Sequence, residues 1–63
     1  MIDVKEKDIV VFNDLATAVR FEVVAVGEKP QSGGAYLIEV REQGTRFATQ
    51  IVYNAMVKAV VTR

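Results

Sequence analysis

The stretch TQIVYNAMVKAVV, positions 49–61, constrains this chain more than any other, because it decides between two incompatible folds. Read as a helix over about residues 47–61, it sets Gln50, Asn54, Lys58 and Thr62 along one polar stripe. That stripe is a single residue wide. A helix of this kind needs apolar cover on nearly every side, which a chain of 63 residues cannot supply. The segment is also rich in β-branched residues, namely Ile51, Val52, Val57, Val60, Val61 and Thr62, which lose side-chain freedom in a helix. The other reading is a strand, one helical turn at YNAM that reverses the chain, and VKAVVTR returning as a last strand. The strand reading is the one favoured.

The upstream chain supplies partners for those strands. DIVVF, positions 8–12, is a β-branched run that stops at the turn-forming NDLAT. AVRFEVVAV, 18–26, alternates so that Phe21, Val23 and Ala25 share one face and Arg20, Glu22, Val24 and Val26 the other. GEKPQSGG, 27–34, contains the only proline and three of the four glycines, so no strand passes through it. AYLIEVREQG, 35–44, resumes the alternation, with Tyr36, Ile38 and Val40 opposed to Leu37, Glu39 and Arg41. EQGT then predicts a tight hairpin with Gly44 at positive φ. RFATQIV follows as the antiparallel partner, with Phe47, Thr49 and Ile51 on one side.

Five short strands, a long loop after the second, a tight hairpin after the third and one short helical turn before the last make an all-β order that resembles the SH3-like small barrel. In such a barrel one inward residue per pleat fills the core. The expected core is Val10, Phe21, Val23, Ala25, Tyr36, Ile38, Val40, Phe47, Ile51 and Val57, in a single domain over residues 1–63. Val24, Val26, Leu37, Val52 and Val60 then face outward on neighbouring strands as a second apolar face.

That face bears on stability. A chain this short buries only about 60% of its unfolded surface and is marginal without a disulfide, a metal or association. Cysteine and histidine are both absent, which excludes disulfides, thiolate chemistry and the commonest zinc ligand and general base. Hydrophobic residues are 51% of the chain, and its eight basic and eight acidic residues cancel, so no net charge holds copies apart. A homo-oligomer, dimer or tetramer, is the expectation, with the Val24, Val26, Leu37, Val52 and Val60 face as its interface.

Other chemistry has less support. The glycines of GEKPQSGG are followed by no lysine–serine pair and no helix start, so the loop is no phosphate cradle. Glu22 and Glu39 share outward rows with Arg20 and Arg41, and cross-strand ion pairs account for them. Asp3, Glu6 and Asp8 are the only grouping that suggests a metal, and neither metal nor cofactor is expected. For nucleic acid the candidate stacking sites are Tyr53 with Lys58, or Phe12 with Lys5 and Lys7, but a neutral chain is disfavoured for that role. A groove for proline-rich peptides needs more free aromatics than this chain has, and it lacks tryptophan. A protein partner would instead add to a sheet edge or cover the apolar face. The N-terminus MIDVKEKDIVVF is unlike a secretory signal, and no apolar run approaches the ~20 residues of a membrane span, so a cytoplasmic, membrane-free protein is expected.

Within SH3-like barrels, the last third of the chain resembles the plasmid-borne, trimethoprim-resistant type II dihydrofolate reductases. These carry Val-Gln-Ile-Tyr on the fourth strand, then a helical turn and a short final strand. Thr49, Gln50, Ile51 and Val52 stand at those places, so Gln50 and Ile51 match and Val52 replaces the tyrosine. The resemblance implies four barrels around a pore that takes NADPH and dihydrofolate without an acidic or histidine catalyst. It makes Gln50 and Ile51 candidate ligand-binding residues, beside Tyr53 and Lys58 from the stacking reading. The leading expectation is a non-enzymatic module that binds or assembles through its apolar face. A nucleic-acid-binding accessory protein and a divergent relative of these reductases are the alternatives.

Overall fold

The computed structural model describes residues 1–62. It contains β1 (Ile9–Val11), β2 (Phe21–Val26), β3 (Leu37–Glu42), β4 (Gln50–Tyr53) and β5 (Ala59–Val60), with a 3₁₀ turn at Asn54–Met56 before β5. All pairings are antiparallel, in one sheet of order β4-β3-β2-β1-β5. The chain is therefore all-β, and residues 49–61 form strand, turn and strand. The backbone shows why the turn ends where it does. The Asn54 carbonyl accepts the Val57 N–H at 3.0 Å, and the next N–H, that of Lys58, donates to Val11 at 2.8 Å. One helical turn thus hands the chain directly to the edge of β1.

The core is Val4, Val10, Val23, Tyr36, Ile38, Val40 and Val57, with Ile2, Phe12, Phe21, Val26, Val52 and Val60 packed around it. Six of the residues expected inside are there: Val10, Val23, Tyr36, Ile38, Val40 and Val57; Phe21 sits at the margin. Val4 precedes the first strand and is nonetheless fully buried, because its N–H donates to the Tyr36 hydroxyl at 2.8 Å. Val11 is also buried and was not expected to be.

Two irregularities overturn the rest of the expected facing. The first lies in β2, where Val23 pairs with Val40 but Ala25 pairs with Glu39. Val24 is the extra residue of a β-bulge, and the alternation inverts beyond it. Val26 consequently pairs with Ile38 and packs on the core, while Ala25 is only half-buried. The second lies between β3 and β4. Gly44 takes φ +79° and the turn at Gln43–Gly44 forms as expected, yet no ladder follows it, and residues 45–49 are a loop rather than the start of a strand. The Thr45 hydroxyl donates to the Glu42 carbonyl at 2.9 Å and Arg41 Nε donates to the Phe47 carbonyl at 3.1 Å. The Glu42 carbonyl also accepts the Thr45 N–H at 3.2 Å, so the turn itself closes; it is the Phe47 carbonyl, held by Arg41, that a hairpin ladder would otherwise have claimed.

Strand β4 therefore begins only at Gln50, in the opposite phase. Val52 stands across from Ile38 and packs inward, whereas Ile51 stands across from Glu39 and is 61% exposed. Phe47, placed in the core by alternation, is 67% exposed in the loop. Val60 pairs with Val10 and also packs on the core. Of the five residues expected to face outward, Val26, Val52 and Val60 thus line the interior instead.

Candidate functional site

The outer face of β3 and β4 is the site these corrections expose. Leu37 lies directly opposite Tyr53, and Glu39 opposite Ile51. Leu37, Tyr53 and Ile51 are 45%, 54% and 61% exposed, so three large apolar side chains on two paired strands face solvent together. A shallow apolar depression continues the face toward β2, lined by Ala25, Gly27, Leu37 and Ile51. Gly27 permits that shape. Its N–H donates to the Leu37 carbonyl at 2.8 Å, and a Cβ at position 27 would lie only 2.8 Å from that same oxygen. The carboxylate of Glu39, the one charge in this stretch, accepts a hydrogen bond from the Thr49 hydroxyl.

The candidate ligand residues do not converge. Ile51 borders the depression just described, while Gln50 borders another with Val19, Phe21, Val40 and Phe47. Lys58 lines a third with Val11, Leu15, Arg20 and Val61, to which β4 contributes nothing. Tyr53 borders none of these three. Among the described residues, none of these depressions brings two of Gln50, Ile51, Tyr53 and Lys58 together. Val24 is half-buried at the bulge, and Leu37 alone of the expected interface set is plainly exposed.

Residues offered for other chemistry are engaged elsewhere. Phe12 meets Phe21 edge to face, with centroids 5.2 Å apart, and so packs on the core instead of standing free beside Lys5 and Lys7. Glu22 does stand opposite Arg41, but the Arg41 Nε turns to the Phe47 carbonyl. Asp8 accepts the Lys5 N–H at 2.8 Å, and Asp3 accepts from Lys29 at 2.9 Å and from the Tyr36 hydroxyl at 2.7 Å. Among the described residues no group of three or more acidic, cysteine or histidine side chains could hold a metal ion. No helix among them is long and apolar enough to cross a membrane.

A second feature holds the N-terminal segment against the sheet. Asn54, 2% exposed, accepts the Tyr36 N–H on Oδ1 at 2.9 Å and donates from Nδ2 to the Ile2 carbonyl at 3.0 Å. The Tyr36 hydroxyl meets Val4 and Asp3, and the Lys29 ammonium sits 5.3 Å from the Tyr36 ring centre. Burial pushes the Tyr36 phenol above its ordinary range; the Val4 backbone bond opposes the shift, and the Asp3 carboxylate reinforces it. Sequence reading passed over Asn54. Its one signal was a lone amide in an otherwise apolar stretch before a turn, IVYNAMV. Comparison of the chain with protein-family models, curated proteins and solved structures finds no match in any of the three.

Proposed function

We propose that this chain is a small non-enzymatic binding and assembly module of SH3-like barrel type, which associates with copies of itself through the outer face of β3 and β4. The observation that carries the reading is the contiguity of Leu37, Ile51 and Tyr53. Single exposed apolar residues are ordinary on any surface, but a cluster on paired strands leaves contiguous apolar area that association would remove from water. The formal net charge of zero adds no repulsion between copies. Glu39, the carboxylate on that face, is engaged by the Thr49 hydroxyl, and the exposed area around it is apolar, which supports a contact role.

The test is the native mass, by size exclusion with light scattering over a dilution series, of the wild type and of Leu37→Lys. A wild-type oligomer that the variant reduces to a folded monomer is expected. Because Leu37 is 45% exposed, the substitution should leave the far-UV circular dichroism unchanged. A wild type that is monomeric at every concentration refutes the proposal. So does an oligomer that Leu37→Lys leaves intact.

A further inference from the structure

We infer that the β1–β5 end of the sheet carries a site for a small organic carboxylate, in which Arg20 and Lys58 take the charge and an apolar floor takes the body. This end lies across the sheet from β3 and β4, so the site stands independently of the self-association proposed above. The depression there measures about 300 Å³. That is the lower end of the range for small-molecule sites, roughly 300–1,000 Å³.

The floor explains a residue that alternation misjudged. Val10 is fully buried in the core, so Val11 points to the other face of β1, and yet it is only 9% exposed. Around it there lie Ala59, its partner on β5, and the loop 13–18. That loop is folded on itself. The Leu15 N–H donates to Asn13 Oδ1 at 3.0 Å, and the Leu15 carbonyl accepts the Ala18 N–H at 3.1 Å. Leu15 is left 65% exposed at the wall of the depression, with apolar area that a ligand's hydrocarbon would remove from water.

Two cations flank this floor. Val10 pairs with Phe21, so Arg20, one residue before β2, comes level with Val11 on one side. Lys58, one residue before β5, donates its N–H to the Val11 carbonyl at 2.8 Å on the other side. Both side chains border the depression, and among the described residues neither forms a salt bridge or hydrogen bond. Asp14 also borders it and pairs with neither cation. A single exposed cation is ordinary. Two that flank one apolar floor without an internal counter-ion leave a place where a carboxylate's charge is met while its hydrocarbon is covered. The guanidinium offers paired N–H donors that fit the two oxygens of a carboxylate, and the ammonium adds a point charge. Two positive charges against the one of Asp14 favour a monoanion over a phosphate dianion.

The test is a titration of the wild type with sodium hexanoate at constant ionic strength, followed by amide proton–nitrogen correlation spectra. Saturable shifts of the Val11, Leu15 and Ala59 amides are expected, with a dissociation constant on the order of 1 mM for a ligand of so few atoms. Hexanamide, the same body without the charge, should bind about tenfold more weakly or worse. Arg20→Gln and Lys58→Gln should each weaken hexanoate by about fivefold, and Asp14→Asn should tighten it. All three residues are exposed, so each variant should keep the folded spectrum. Absence of saturation by about 50 mM hexanoate overturns the site. So does hexanamide binding as well as hexanoate, or an affinity that both cation variants leave unchanged. Hexyl phosphate binding more tightly than hexanoate overturns the assignment of a carboxylate.

Discussion

Replacing Asn54 by alanine tests whether one amide ties the N-terminal segment, β3 and the 3₁₀ turn together. The side chain accepts the Tyr36 N–H and donates to the Ile2 carbonyl. Alanine removes both partners at once. The Tyr36 N–H is buried and would be left unpaired, at a cost of about 1–3 kcal/mol. The bond to Ile2 is only partly buried, so water can replace it and its loss costs about 1 kcal/mol. The sum is about 2–4 kcal/mol. At ~0.05–0.15 kcal/mol per residue, a chain this short has only about 3–9 kcal/mol to lose. The assay is urea unfolding followed by far-UV circular dichroism at one fixed protein concentration, which keeps any association term constant. With a slope of about 1 kcal/mol/M for so small a domain, the midpoint should fall by about 2 M or more. Asn54→Asp separates the two bonds. It keeps an acceptor for Tyr36 but turns an oxygen toward the Ile2 carbonyl, so it should be destabilised at neutral pH. Protonation restores a donor, so the variant should recover relative to wild type as the pH falls through the introduced carboxyl's raised pKa. An Asn54→Ala midpoint within ~0.5 M of wild type would refute the clamp. An Asn54→Asp variant as stable as wild type at pH 7 would show that the Ile2 bond contributes nothing.

Two further outcomes follow from single contacts. Gly27→Ala places a Cβ 2.8 Å from the Leu37 carbonyl oxygen, a backbone atom with little room to move, and should cost about 1–3 kcal/mol; a thermal midpoint unchanged within ~1 °C would show that β2 and β3 separate freely there. Tyr36→Phe leaves the buried Val4 N–H without its hydroxyl acceptor and should cost about 1–3 kcal/mol at pH 7. Because the folded phenol titrates above the unfolded one, its contribution is complete below pH ~10 and is lost as the pH rises through the folded value. The stability gap between wild type and Tyr36→Phe should therefore narrow above pH ~10 in parallel urea titrations, and a gap that widens would reverse the assignment.

Much of the architecture was legible because single residues decided it. The β-branched Ile51, Val52, Val57, Val60 and Val61 weighed against the helix, and the chain does turn at Asn54–Met56. Tyr36, Ile38 and Val40 were assigned to the core correctly, since β3 has no bulge and its alternation runs unbroken. Strand β2 was legible only as far as Val23. Nothing in VVAV distinguishes a regular strand from one carrying an extra residue at Val24, because every side chain there is apolar and small enough for either face. Asn54 was missed for a different reason. Its partners, Ile2 and Tyr36, are remote in sequence and local spacing does not announce them.

The misplacement of β4 follows from its connection to β3. A ladder running on from the turn at Gln43–Gly44 would pair Glu42 with Thr45, and by antiparallel counting Ile38 with Thr49 and Val40 with Phe47. The observed partners are Val52 and Gln50, each three positions further along the chain. An odd displacement inverts every side chain of the strand. It moves Ile51 out and Val52 in. Polar alternation would normally penalise one of the two phases, but IVY offers apolar side chains to both faces. In the observed phase Ile51 and Tyr53 remain outside; in the other, Val52 would. An apolar outer surface on β4 is thus a property of its composition, independent of register. That is why an exposed apolar face could be expected on this chain even though Val26, Val52 and Val60 proved to be the wrong members, and why Leu37, on the well-phased β3, was the right one.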